Sequence, residues 1–147
     1  HITYLSNESM NKKFGRKLQK KEDYSYDFST DFQIESYLKY QGDKFVNRFD
    51  ANSYLYISKA VDYFDLTKKY GSVEKAFKNT NCKFLVIAIS TDWLFSPKQS
   101  KDIVKALLKQ SKEVTYAQID SPFGHDAFLI ESTQMTSLVQ NFLNQVK

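Results

Sequence analysis

The chain has 147 residues, of which 41% are apolar and 26% charged, with a formal net charge of +4. This composition is typical of a folded domain and excludes a disordered tail. The longest apolar run, Phe84–Ile89, is far shorter than the ~18 residues that a membrane-spanning helix needs, so no membrane partner is expected. The single cysteine, Cys82, excludes a disulfide framework and a cysteine-based zinc finger, and fits a reducing, cytoplasmic setting.

The glycines and histidines are few and widely spaced. The four glycines are Gly15, Gly42, Gly71 and Gly124, and no two lie within six residues of each other. This spacing excludes a Walker loop, a GxGxxG fingerprint and a GxSxG nucleophile elbow within this chain. The two histidines stand at positions 1 and 125, so any histidine-dependent chemistry points to His125.

The positive charge is local. Six basic residues lie close together, and without them the acidic residues outnumber the basic ones. Such a cluster can bind phosphate-rich partners. A solvated surface is favoured over a nucleic-acid site, because Asp23 and Asp27 follow the cluster and would repel a nucleic-acid backbone. The six residues are Lys12, Lys13, Arg16, Lys17, Lys20 and Lys21.

The first 80 residues read as helical and aromatic. We predict a loop over residues 22–30, then a helix that begins after the capping residues 29–31, runs through Tyr40 and is closed by Gly42. A second helix is predicted over residues 50–64, and a short one over residues 73–77. Tyr54, Ile57, Val61 and Phe64 lie on one face of the second helix, where they suit a cleft wall or a dimer contact.

The remainder alternates between strand and helix patterns. The apolar run at residues 83–89 predicts a strand covered on both faces, and residues 113–119 predict a second strand. Between them, Ser96, Pro97 and Gln99 are three agreeing helix-start signals, and a final helix reaches Val146. A strand–helix–strand unit is parallel, which indicates an α/β fold. Because two parallel strands do not form a stable sheet, we expect central strands upstream of residue 1.

Two polar loops follow the predicted strands. Asp92 comes after the first strand and His125 after the second. Parallel neighbours bring their carboxyl ends to about 5 Å, so the two side chains are expected to meet. A carboxylate on one imidazole nitrogen prepares the other as a base, although a loop-capping acid and a structural histidine are the plain alternatives. No metal-ligand spacing such as HxH or HExxH is present, and no metal is expected.

An Asp–His pair needs a nucleophile. In α/β-hydrolase folds the triad follows the order Ser, Asp, His along the chain, and the last two are present here in that order. Because the glycine spacing excludes the elbow in this chain, the serine is expected upstream.

At this point the chain is seen to resemble the C-terminal portion of the homoserine O-acetyltransferase family, α/β-hydrolase-fold enzymes of methionine biosynthesis. The resemblance runs over nearly the whole chain, and it depends on the combination of motifs. They are Ile2–Ser6, Lys13–Arg16, Asp31–Leu38, Tyr40–Phe45, Arg48–Leu55, Thr91–Phe95, Pro97–Ser100 and Gly124–Leu129.

The resemblance implies an incomplete α/β-hydrolase fold. Residues 1–80 would form a helical lid, and residues 81–147 the C-terminal part of the core with its last two parallel strands. Asp92 and His125 would be the triad acid and base, and Asp126 would hold the homoserine ammonium group. The family's serine, oxyanion hole and carboxylate-binding arginine have no matching position here.

The resemblance also implies a reaction and partners. Acetyl would pass from acetyl-CoA, a co-substrate and not a cofactor, to the hydroxyl of L-homoserine by a ping-pong mechanism. A homodimer through the lid helices is implied as well. The alternatives are a sister acyltransferase that uses succinyl-CoA or L-serine and, less favoured, a non-enzymatic interaction module with a basic patch.

Overall fold

The structure, a computed structural model, describes residues 2–20 and 22–146. These residues divide into two compact units, one of residues 10–64 and one of residues 2–9 with 65–146. Short 3-10 helices cover Ile2–Tyr4 and Gly124–Asp126. The helices are α1 (Asn7–Lys13), α2 (Gln33–Arg48), α3 (Ala51–Asp62), α4 (Leu66–Tyr70), α5 (Val73–Ala76), α6 (Pro97–Lys109), α7 (Ala127–Ile130) and α8 (Ser132–Val146); the strands are β1 (Phe84–Ile89) and β2 (Val114–Ile119).

Helix α2 is longer than its sequence predicted. The Glu35 carboxylate accepts hydrogen bonds from the backbone N–H groups of Asp31 and Phe32, at 2.9 and 2.8 Å, and so caps the first turn. The predicted end at Gly42 is wrong, because α2 continues to Arg48. Gly42 is not in a left-handed conformation, which a helix-ending glycine commonly adopts, so the helix passes through it.

The predicted loop and the predicted second helix of the first 80 residues are both confirmed. Residues 22–30 form neither helix nor strand, which confirms the predicted loop. Helix α3 begins after Asp50, whose carboxylate accepts a hydrogen bond from Ser53 N at 2.7 Å, and this confirms the second helix.

The chain between Asp65 and the first strand forms two short helices. The sequence predicted α5 but not α4, which ends at Gly71 with a left-handed φ of 83°. An ion pair of 2.8 Å joins Glu74 of α5 to Lys109 of α6. The hydrogen bond from Lys109 lowers the pKa of the Glu74 carboxyl to about 2. The compact units do not coincide with the predicted boundary at residue 80, and the lid assignment stays a prediction.

Strands β1 and β2 pair in parallel, as predicted. Their register runs from Phe84 opposite Val114 to Ile89 opposite Ile119. The predicted start of α6 is confirmed, since the Gln99 side chain accepts a hydrogen bond from Ser96 N at 2.8 Å. In β1 only Ala88 and Ile89 are buried, so the strand is not covered along its whole length by the described residues.

The core lies where the helices pack on this pair of strands. Helix α6 contacts both strands and α8 contacts β2. The side chains of Ile89, Ile119 and Ala127 form the buried cluster, with Met135 and Leu138 of α8 against it. Cys82 is exposed and lies two residues before the start of β1 at Phe84. No helix within the described ranges is long and apolar enough to cross a membrane.

Leu107 and Leu108 of α6 offer a direct test of this packing. Leu107 is fully buried, whereas Leu108 is 58% exposed. Leu107→Ala is expected to lower the free energy of unfolding by about 2–5 kcal/mol, because it leaves a cavity under the helix. Leu108→Ala is the matched control and should change it by less than about 0.5 kcal/mol. Urea denaturation measures both, and equal losses would contradict the placement of α6.

Candidate active site

Two loops leave the paired strands at the same end of the sheet. Residues 90–96 follow β1, and residues 120–126 follow β2. Ser90 N donates to Ile119 O at 2.9 Å and extends the ladder by one bond beyond the strands. The two loops therefore start in register, which brings the side chains that follow them into reach of one another.

Asp92 is a buried acid whose two oxygens have different partners. Its side chain is only 6% exposed. Oδ1 accepts from the backbone N–H groups of Leu94 and Phe95, both at 2.9 Å, and Oδ2 lies 2.9 Å from His125 Nδ1. The loop-capping role and the pairing with histidine, alternatives on sequence alone, are thus both present, one on each oxygen.

This pairing fixes the state of the imidazole. An ionised carboxylate can only accept hydrogen bonds, so Nδ1 of His125 is the donor, and in the neutral imidazole Nε2 then carries the lone pair. Nε2 has no hydrogen-bond partner in the part of the chain that the structure describes. The ring is therefore arranged as a base whose free nitrogen is available to a group from outside these residues.

Three aromatic side chains surround the imidazole. Tyr4 stacks on it with ring centroids 5.3 Å apart, and Phe95 and Phe128 approach at 5.2 and 5.5 Å. The histidine side chain is 21% exposed. Asp92 and His125 line a pocket of about 160 Å³ whose other walls include these two phenylalanines. The base thus stands in a mainly apolar pocket, where electrostatic interactions are stronger than in water.

Residues 2–6, here called the N-terminal segment, contact both loops. Trp93 Nε1 donates to Leu5 O at 3.3 Å, and the Ser6 hydroxyl donates to Pro122 O. Gly124 has φ +67°, and a Cβ there would lie 2.7 Å from Ser6 N. Sequence reasoning missed this contact, although the glycine directly before His125 was a signal that could have found it.

Asp126, the predicted ammonium ligand, follows His125 in the 3-10 helix. It is half-buried, and its carboxylate forms no hydrogen bond or ion pair with any residue that the structure describes. A half-buried carboxylate without a protein partner is suited to a cationic group of a ligand.

The basic cluster is partly engaged within its own unit. Lys13 Nζ lies 4.8 Å from the ring centroid of Tyr37, and the Arg16 guanidinium lies 5.3 Å from that of Phe32. Lys21 lies outside the described residues. The interaction module stays an untested alternative. Over residues 2–20 and 22–146 no group of three or more His, Cys, Asp or Glu side chains is placed to hold a metal.

Sequence comparison finds relatives along the full length of the chain. It is 57% identical over 146 residues to a homoserine O-acetyltransferase of Methanosalsum zhilinae and 54% identical over 145 residues to one of Methanococcus vannielii. It is also 50% identical over 147 residues to a homoserine O-succinyltransferase of Ralstonia nicotianae. Each match covers 99% of this chain but only 30%, 29% and 36% of the relative. No family model matches.

Solved structures agree on the fold. A homoserine O-acetyltransferase from Bacillus anthracis matches 97% of this chain and 38% of its own, with a TM-score of 0.84 and 24% identity. Esterase E22 matches 95% of this chain and 38% of its own, with a TM-score of 0.76 and 21% identity. The predicted resemblance to the homoserine O-acetyltransferase family and the α/β-hydrolase fold class are confirmed. The chain spans about 30% of the length of the curated relatives named for acetyl transfer.

Gly124 is expected to be essential for the contact between the N-terminal segment and the His125 loop. Gly124→Ala should lower the free energy of unfolding by more than about 2 kcal/mol, because a Cβ would overlap backbone atoms at a left-handed φ. Gly42→Ala is the matched control: a Cβ there meets nothing within 4 Å, and alanine should stabilise α2 by about 1 kcal/mol.

Trp93 reports on this contact, because it is the single tryptophan of the chain and bonds Leu5. Its fluorescence should change in Gly124→Ala, where the hydrogen bond to Leu5 is lost, and stay unchanged in Gly42→Ala. An unshifted spectrum and an unchanged melting temperature in Gly124→Ala would contradict the described contact.

Proposed function

We propose that this relative of the homoserine O-acyltransferases supplies the acid and the base of a Ser-His-Asp triad, within a protein that acetylates L-homoserine. The observation that carries the proposal is the 2.9 Å hydrogen bond between buried Asp92 and His125, in a pocket beside two strand ends. The nucleophilic serine would lie outside these 147 residues, in the length of the relatives that this chain does not cover.

In the first half-reaction, His125 Nε2 takes the proton of the serine hydroxyl as the oxygen attacks the thioester carbonyl of acetyl-CoA. The carbon–sulfur bond breaks, the imidazolium gives its proton to the departing thiolate, and an acetyl-serine ester remains. Asp92 holds the ring in the correct tautomer and stabilises the imidazolium while it exists.

In the second half-reaction, the homoserine hydroxyl attacks the acetyl-serine carbonyl and Nε2 takes its proton. The serine oxygen leaves with that proton, so the free enzyme and O-acetylhomoserine result. Asp126 binds the ammonium group of homoserine, a role supported by its half-buried carboxylate without a partner among the described residues. Phe95 and Phe128 supply apolar walls beside the base, and in the complete protein further residues would have to exclude the water that would otherwise hydrolyse the ester.

Relatives named for acetyl transfer and for succinyl transfer both match this chain, so the acyl donor has to be decided separately from the acceptor. Acetyl-CoA is proposed, with succinyl-CoA as donor or L-serine as acceptor as the alternatives. The deciding residues would surround the serine. Determining the coding sequence upstream of residue 1, and comparing kcat/KM for both donors with the product of the complete gene, separates these possibilities.

The proposed base is tested in a chimera in which this chain replaces the homologous segment of the Methanosalsum zhilinae relative. His125→Ala should lower kcat for homoserine acetylation by a factor of about 10⁴ or more, as triad removals do. His1→Ala, which removes the other histidine of the chain, is the matched control and should leave kcat unchanged. A spectrophotometric assay of thiol release measures both.

Near-normal acetylation by the His125→Ala chimera would refute the assignment of the base. The 147-residue chain alone should release no thiol, because the nucleophile is expected outside it. Turnover by the pure chain at a rate comparable with that of the chimera would refute the assignment of the missing serine.

A homodimer through helices α2 and α3 is part of the proposal. The apolar face predicted for the second helix is unburied within its own unit: Tyr54, Ile57 and Val61 of α3 are 54%, 66% and 67% exposed, and Phe64, which follows the end of α3 at Asp62, is 73% exposed. An apolar patch of this kind on a helix is typical of a surface that binds a protein. A second copy of the same face would cover it in a two-fold arrangement.

The dimer is tested by sedimentation velocity on the same chimera. Ile57→Glu should shift it from dimer to monomer, because a carboxylate would be buried in the apolar contact. Asn52→Glu places the same charge on the opposite side of α3 and should leave the dimer intact. A dimer that survives Ile57→Glu would place the interface elsewhere.

A further inference from the structure

One hydroxyl joins the two loops that carry the proposed acid and base. Thr91 Oγ1 donates a hydrogen bond to Ser121 O at 2.5 Å and accepts one from Gly124 N at 3.0 Å. Both partners belong to the loop that leads to His125, whereas Thr91 itself directly precedes Asp92. The hydroxyl therefore uses its donor and its acceptor capacity on the same opposite loop.

Two consecutive residue pairs join the two loops. Thr91 contacts Gly124 and the next residue, Asp92, contacts His125, so that both pairs are separated by 33 residues. The parallel strand pairing ends at Ile89 and Ile119, so it does not fix the loops at this point. The Thr91 hydroxyl is the side chain of the Asp92 loop that bonds the backbone directly before the imidazole.

The surroundings support a specific role for the threonine. Ser121, whose carbonyl accepts from Thr91, is buried with an exposed fraction of 4%. The Ser121 N–H donates to the Ser90 hydroxyl at 3.2 Å, so two adjacent hydroxyl side chains hold this part of the loop.

We propose that Thr91 is a positioning residue for the base: its hydroxyl sets the His125 loop so that Nδ1 stays on Asp92 and Nε2 keeps its direction. Thr91→Val keeps the shape of the side chain but leaves the Gly124 N–H without its acceptor. The loop then has to move to satisfy this group, and the imidazole moves with it. The catalytic meaning of this positioning rests on the proposed function, but the geometry itself does not.

The geometry is tested by NMR on the chimera, in which the Nδ1 proton of His125 is assigned by its absence from the His125→Ala variant. The Nδ1 proton, held by Asp92, should appear far downfield and exchange slowly with solvent. Thr91→Val should remove this signal, and Thr91→Ser should restore it. The matched control is Thr80→Val, which removes a hydroxyl hydrogen bond to Phe77 O of 2.8 Å elsewhere in the same unit.

Kinetics on the Methanosalsum chimera provide the second measurement. Thr91→Val should lower kcat by a factor of about 10², the cost of a small displacement of a catalytic group. The KM for acetyl-CoA should stay close to that of the parent, and both Thr91→Ser and Thr80→Val should stay close to the parent in kcat. A general loss of stability would instead affect Thr91→Val and Thr80→Val alike.

Either of two results would overturn the proposal: a downfield proton that persists in Thr91→Val with an unchanged kcat, or its equal loss in Thr80→Val. The failure of the proposed function gives a different result. A chimera without any acetyl transfer would refute the function, and the NMR comparison of Thr91→Val with Thr91→Ser would still decide the role of the hydroxyl.

Discussion

The buried carboxylate of Asp92 is the constraint on which the site depends. A buried charge is costly unless hydrogen bonds satisfy it, and Asp92 obtains three: two from its own loop and one from His125. The bonds from Leu94 and Phe95 fix the turn of the loop, so the remaining oxygen has a defined direction. His125 is then oriented by a group that is itself immobilised, and this is the condition for a precise proton transfer.

The strands, helix α6, the hydroxyl groups of the loops and the N-terminal segment all help to keep Asp92 and His125 in place. The parallel register from Phe84 to Ile89 starts the two loops side by side, and α6 covers the strands through the buried Leu107. Beyond the strands, hydroxyl groups replace the backbone ladder, because the loops diverge from β geometry there. The N-terminal segment packs against the His125 loop at Gly124, where its backbone leaves no room for a side chain.

Sequence reasoning succeeded where the signals are local or topological. The apolar run of β1 and the Ser96–Gln99 signature lie within a few residues, and the meeting of Asp92 with His125 follows from the parallel order alone. The predicted helix end at Gly42 is wrong, because this glycine does not adopt a left-handed φ and α2 continues through it. The contact of residues 4–6 with Gly124 joins distant parts of the chain without any periodic pattern, so the single glycine before His125 is its one local signal in the sequence.

On the proposed function, this chain holds the acid and the base but not the nucleophile, and this explains why relatives named for different acyl donors both match it. Relatives named for acetyl transfer and for succinyl transfer match this chain at 57% and 50% identity, over nearly all of its length. Proton transfer at the hydroxyl and at the leaving thiolate is the same for either acyl group, so a segment that holds the acid and the base has no reason to differ with the donor. Discrimination between a methyl and a carboxyethyl group needs contacts around the acyl carbon, where the serine attacks. On the proposed function, this chain therefore carries the chemistry that the donors share, and the remaining length of the protein carries the choice between them.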